Sequence, residues 1–134
     1  MSSTLEVSAA VSALKERFYE INALNSAGAI FDWDQQCFMP PAGAEARSHH
    51  TSILGRMAHE KLVEDETARL IAAAAKEARP DSEEEALVRV SRRRYDLATK
   101  IPASLVAEKL RLAEIGHEEW VAARKANDFK SFAS

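Results

Sequence analysis

Four prolines stand at only three places in this 134-residue chain: Pro40 with Pro41, Pro80, and Pro102. Proline has no backbone N–H and biases the residue before it away from α, so each place ends or begins a helix. Between these places the chain is rich in Ala and Glu and holds only four glycines. Such stretches favour helix over every alternative. The predicted class is all-α, with about five to six mostly antiparallel helices, short connections and a long last full helix. No credible strand, repeat period or low-complexity linker interrupts the pattern. Residues 1–134 read as one helical domain, large enough to bury roughly two thirds of its unfolded surface.

Val11, Leu14, Phe18 and Ile21 recur at helical spacing. They predict a first helix from about Ser3 to Gly28, with room to run on through Trp33 before the prolines. A second is expected from about Ala44 to Lys61, with Ala46, His50, Ile53, Leu54 and Met57 toward one side. Asp65 is the expected N-cap of a third helix reaching Ala78, whose Ala72–Ala75 run admits a close neighbour. Ser82 and Glu85 form a capping-box pattern for a fourth helix through Lys100, with Leu87, Val90, Arg94 and Leu97 on one side. Pro102 suits the first turn of a fifth helix of about 25 residues, ending near Asn127 and spanning nearly 40 Å at ~1.5 Å per residue. Asp128 can cap a sixth that barely begins.

Eighteen basic against 21 acidic residues leave a net charge of −3, so no global field draws the chain to nucleic acid or anionic lipid. A single cysteine, Cys37, cannot form an internal disulfide. The sequence begins without a basic leader or apolar h-region, and no apolar run approaches the ~20 residues that span a bilayer. The expected setting is the cytoplasm, with no nucleic-acid and no membrane partner.

Chemistry is hard to find in the residues alone. Zinc catalysis favours two histidines one helical turn apart, as in H-E-x-x-H, so that both rings reach one ion. The four histidines stand at 49, 50, 59 and 117, and no two are four apart. His49 and His50 are adjacent and on a helix project about 100° apart. An improvised site around Glu45 and His49 is weaker than a surface pair with His50 at the core edge. Cys37, beside Phe38 and Met39, reads as a buried inert thiol. Asp32 and Asp34 fall on nearly opposite sides of a helix, which favours structural work over general acid–base work. Arg92, Arg93 and Arg94 follow Glu83, Glu84 and Glu85 along one helix and complement its dipole, with Glu85–Arg89 and Arg92–Asp96 as further pairs. Trp33 and Trp120 are expected to pack between helices.

The segment Phe31-Asp32-Trp33-Asp34-Gln35-Gln36-Cys37-Phe38-Met39-Pro40-Pro41-Ala42-Gly43-Ala44-Glu45-Ala46-Arg47 adds what composition does not. It resembles the N-terminal signature of the carboxypeptidase Taq family of metallocarboxypeptidases, in which Trp-Asp is followed by Met-Pro, a Gly and an Arg. Trp33, Asp34, Gln35, Met39, Pro40, Gly43, Ala44, Glu45 and Arg47 match it. Leu54, Ala58, His59 and Glu60 also resemble family segments. So do Arg94, Tyr95 and Asp96, then Ala98–Lys100, Pro102, Leu105 and Val106. Trp120, Ala123, Arg124, Asn127, Asp128, Phe129 and Phe132 follow, and the likeness runs from about Leu14 to Phe132.

The resemblance implies a longer, helical, cytoplasmic and typically homodimeric enzyme that releases C-terminal residues from peptides. Its zinc or cobalt ion would be held by an H-E-x-x-H pair and a downstream Glu, all C-terminal to the region matched here. No catalytic, cofactor-binding or metal-binding residue is therefore transferred to this chain, and no cofactor is expected in it. Trp33, Asp34, Met39, Pro40, Gly43 and Arg47 are expected to fix the turn or line a cleft wall. The chain is expected to be an N-terminal segment, inactive alone, with the rest of the peptidase or a second copy as partner and peptide substrate only in the full-length enzyme. The alternative is a free-standing helical interaction module without catalysis.

Overall fold

The computed structural model describes residues 8–133, apart from the side chain of Pro41. It is all-α, and no strand occurs among the described residues. The helices are α1 (Ala9–Cys37), α2 (Ala44–Val63), α3 (Asp65–Glu77), α4 (Glu83–Ala98), α5 (Ala103–Ala126) and α6 (Phe129–Phe132), with a 3-10 turn at Pro41–Gly43. α1 is the longest, at 29 residues, and α5 follows at 24. No helix among the described residues is long and apolar enough to cross a membrane. The chain divides into two compact units, one formed by the stretch up to Ala23 with Ala58–Pro102, the other by Leu24–Met57 with Ala103 onward.

The first unit has an apolar core. Val11, Leu14, Phe18 and Ile21 of α1 are buried as their spacing predicts, and the first three join Ile71 and Ala74 of α3 and Val88 of α4. Ala74 is the member of the alanine run that goes fully inside. A polar network ties the same elements together. The largely shielded Arg17 guanidinium donates from Nε to Thr67 Oγ1 at 2.9 Å and from Nη2 to the Lys61 carbonyl at 2.7 Å, and it pairs with Glu64. Thr67, itself fully buried, donates to the same Lys61 carbonyl at 2.8 Å. Every polar atom named there has a partner, so its burial carries no orphan penalty.

Helix ends differ from expectation by small, explicable amounts. α1 begins at Ala9, where Ser8 Oγ accepts from the Val11 N–H at 3.1 Å; the expected start at Ser3 lies outside the described residues. Asp65 is not a cap but the first residue of α3, and Glu64 before it makes no side-chain capping bond because its carboxylate is engaged by Arg17. The capping box of α4 forms with one arm displaced. Ser82 Oγ accepts from the Glu85 N–H at 3.3 Å, while Glu85 Oε2 accepts from the N–H of Asp81 rather than of Ser82. α4 ends at Ala98, two residues short of Lys100.

The inward face of α4 is only in part the predicted one: Leu87 packs against the core and Arg94 is half-buried. Glu84, Val88 and Ser91 are buried, whereas Val90 and Leu97 are exposed. Glu84 goes inside because Arg79 grips it with Nε at 3.2 Å and Nη2 at 3.1 Å. Arg94 lies over the Phe18 ring at 5.1 Å and donates to Asn22 Oδ1, so it stands between helices.

The second unit is different in kind. Its buried residues include Ser48, Thr51, Glu114 and Ala123, a small and mostly polar set. Gly55 of α2 faces α5 so closely that a methyl group there would run into Leu110 Cδ1. Thus α2 turns Ser48, Thr51 and Gly55 inward, while Ala46, His50 and Met57, expected on the packed side, are exposed. Small residues permit the close approach that larger apolar ones would block.

Candidate functional site

The second unit carries the signature segment. α1 closes on the carbonyl of Asp34, which accepts from the N–H groups of Phe38 and Met39, both at 2.9 Å. Pro40 then adopts an extended conformation (φ −66°, ψ 149°) and the Gly43 N–H returns to its carbonyl at 2.8 Å. Gly43 leaves room for Met39, whose Cγ would be 3.1 Å from an added Cβ. Arg47, in the first turn of α2, pairs with the Asp34 carboxylate and stacks over Phe31 at 4.7 Å from the ring centre. One arginine thus ties together both helices that flank the turn.

Trp33 stands outside that clamp. It is 58% exposed and meets Phe38, 73% exposed, edge to face at 5.5 Å. Trp120 is exposed as well, beneath the Arg124 guanidinium at 5.0 Å. Neither tryptophan is buried between helices as expected, although Trp120 shares a pocket lining with Phe129 and Phe132 of α6. Cys37 is likewise exposed rather than buried. Asp32 and Asp34 part company as the helical geometry requires: Asp34 takes Arg47, and Asp32 faces Glu114.

Glu114 of α5 is the residue that the sequence reading missed. It is 8% exposed, and its Oε2 has no hydrogen-bond donor. Burial raises its carboxyl pKa above the ordinary value, and the charge and hydrogen bond of Asp32 push the same way; a hydrogen bond from Gln35 and the charge of His117 oppose them. Gln35 also donates to Glu118 Oε1 at 3.2 Å. A signal was present: Leu110, Glu114 and Val121 fall on one helical stripe of α5, which puts an acid where the pattern asks for a hydrocarbon.

Glu114 lies in a groove of about 590 Å³ between α2 and α5. Glu45 and His49 line the α2 side, and Glu118 and Glu119 the α5 side. His50 instead faces the Phe31 ring at 6.1 Å. His59, in the other unit, bonds through Nε2 to the Ile101 carbonyl at 2.7 Å, and His117 lies 6.0 Å from the Trp120 ring.

Comparison with known proteins decides the relationship. The model of the carboxypeptidase Taq (M32) metallopeptidase family matches residues 13–134. This chain belongs to that family. A solved structure described as "The Structure of CHT" is similar at 30% identity with a TM-score of 0.67, over 93% of this chain and 25% of that one. The carboxypeptidase Taq-family chain thus spans a quarter of the length of that relative. No curated protein matches it.

Metal dependence goes with membership of a metallopeptidase family. The residues described here do not fit such an ion. No group of three or more His, Cys, Asp or Glu side chains among them could hold a metal. Glu45 and His49 share a groove wall without a third donor suitably placed, and the other histidines are scattered as above.

Proposed function

We propose that this chain is the N-terminal helical segment of a carboxypeptidase Taq-type metallocarboxypeptidase, an enzyme that releases C-terminal residues from peptides. In that role it supplies a wall or lid of the substrate cleft, lacks the zinc-binding H-E-x-x-H part, and is inactive alone. The family match over residues 13–134, at a quarter of a relative's length, carries the reading. The scattered histidines support its second half, because hydrolysis of this type needs convergent ligands around one open coordination position. In the whole enzyme the metal would be zinc or cobalt and the setting cytoplasmic.

The surface of the second unit supports a segment over a self-contained interaction module. Ile30, Trp33, Phe38, Leu105, Leu112 and Phe129 are all exposed, and Trp33 and Phe38 meet edge to face, so this unit leaves large apolar side chains without cover. The rest of the peptidase or a second copy would cover them.

The test is an assay of the purified chain for release of C-terminal residues from a mixed peptide pool with zinc or cobalt supplied, alongside metal analysis. The expected result is no release and no stoichiometric metal. Retained zinc together with chelator-sensitive peptidase activity would overturn the proposal.

A further inference from the structure

The outward face of α4 gathers positive charge beside exposed apolar side chains. Arg89, Arg92 and Arg93 are exposed, and among the described residues none of the three is held in an ion pair. The expected Glu85–Arg89 pair fails because Glu85 Oε2 turns back to the Asp81 N–H at 2.8 Å, and Arg92–Asp96 does not close either. Val90 and Leu97 are each 53% exposed and share one helical stripe with Arg93. On the other flank, Arg89 and Arg92 rim a groove of about 830 Å³ against α3, with Ala75, Ala78 and Val88 in its lining. The acids on that lining, Asp81 and Glu85, are the two joined by the bond above. From Arg89 to Leu97 the exposed charges are three arginines against Asp96 alone, in a chain whose net charge is −3. The positive face is thus local and runs against the balance of the whole.

We infer that this face docks an acidic amphipathic helix, with its apolar side chains over Val90 and Leu97 and its carboxylates on Arg89, Arg92 and Arg93. A carboxylate meets a guanidinium through two parallel N–H···O bonds, which fix register as well as adding affinity. A docked helix presents anchors at i, i+3, i+4 and i+7, and Val90, Arg93 and Leu97 repeat at the matching interval. The hydrocarbon stems of the arginines widen the apolar strip between the charges. A nucleic acid would bring phosphates to the arginines but would leave Val90 and Leu97 without partners, and α4 has no exposed aromatic ring on which a base could stack. The face belongs to the first unit and the signature segment to the second, so it stands or falls independently of the peptidase reading.

The experiment titrates the isotope-labelled chain with a synthetic peptide of Glu and Leu, the leucines at helical spacing, and follows backbone amide resonances. The peptide has about 15 residues, the length at which such helices begin to hold in water. A scrambled peptide of the same composition breaks the stripe, and oligo-dT supplies negative charge without a hydrocarbon face. The expected result is a saturable response centred on residues 89–97 to the patterned peptide, at least tenfold tighter than to either control. Arg89→Gln with Arg92→Gln and Arg93→Gln, all at exposed positions where folding is not at stake, is expected to weaken it tenfold or more. Val90→Ser with Leu97→Ser should weaken it about fivefold by removing the apolar half alone. Arg89→Glu with Arg93→Glu should reverse the preference toward the same peptide with Lys in place of Glu. A response centred on Trp33 and Phe38, equal binding of the scrambled peptide or of oligo-dT, or affinity unchanged by the arginine substitutions overturns the inference.

Discussion

Arg47 reaches back across the Pro40–Pro41 turn to the carboxylate of Asp34, so the residue that opens α2 is bound to the last turn of α1. Both side chains are largely shielded, at 20% and 29% exposure, and Phe31 covers the guanidinium from one side. Proline ends the helix but does not set the direction in which the chain resumes. The ion pair does that.

Removing one partner should therefore cost more than an exposed surface pair is worth. Arg47→Ala and Asp34→Ala are each expected to destabilise the chain by roughly 1–2 kcal/mol, between the values for exposed and buried pairs. Arg47→Lys should recover part of this, keeping the charge but losing the planar fork and the stack on Phe31. Chemical denaturation of the two single variants and the double gives the coupling energy. A coupling near zero would remove Asp34–Arg47 as the determinant of the turn.

The approach of α2 to α5 rests on a missing methyl group. At Gly55 an alanine meets Leu110 Cδ1, the far end of a side chain that can turn aside, so Gly55→Ala is expected to forfeit its helix-propensity gain of about 1 kcal/mol to the shift of Leu110. Shortening the opposing residue should relieve the clash: Gly55→Ala with Leu110→Ala should lose less than the sum of the two single changes. Additive losses in thermal melts would mean that the two positions do not touch.

Two carboxyls give opposite pH limbs. Arg79 lowers the Glu84 pKa, first through the side-chain hydrogen bond, so the stabilisation by Glu84 is present above its unfolded value and is lost as pH falls below about 4. Glu114 is raised by burial and by Asp32, so its contribution is present below the unfolded value and is lost as pH rises through its folded pKa. Glu84→Gln should flatten the acid limb of a Tm-against-pH profile. Glu114→Gln should melt higher than the parent at pH 7, with the gap closing toward pH 4. A lower Tm for Glu114→Gln at neutral pH would show that Glu114 is ionised and satisfied in the native state.

What could be read in advance follows from what hydrophobic periodicity measures. Val11, Leu14, Phe18 and Ile21 announced their face because every buried residue on it is apolar. The Ser82 and Asp128 caps were legible because their hydrogen bonds are local. The inward faces of α4 and α2 were not, because they bury polar residues: Glu84 goes inside with Arg79 and Ser48 with the Glu45 carbonyl, and Ser91 and Thr51 go inside beside them, so periodicity of apolar residues does not mark the face. Trp33 and Cys37 failed in the other direction. Apolarity says that a side chain gains from being covered, not that this chain supplies the cover. Of the candidate site, the Trp33–Arg47 signature stood out as a motif, while Glu114 was marked only by its place on the Leu110–Val121 stripe, and its neighbours Asp32 and Gln35 lie some 80 residues earlier in the chain.

Trp33 and Phe38 supply the last prediction. Their edge-to-face pair is exposed on both rings, a geometry normally stabilised inside a core or an interface. Burying the exposed parts of two such rings, roughly 250 Å², is worth about 6 kcal/mol at ~25 cal/mol per Å², enough to drive association at micromolar concentration when added to neighbouring apolar groups. The purified chain is expected to self-associate and to bind a hydrophobic dye. Trp33→Ser with Phe38→Ser should weaken association at least tenfold while barely changing helical content, since neither ring is buried in the fold. Size exclusion with light scattering measures the first effect and circular dichroism the second. A parent chain that runs as a clean monomer with little dye binding would mean that these rings are stable in water as they stand, and would favour the interaction module over the severed wall of a peptidase.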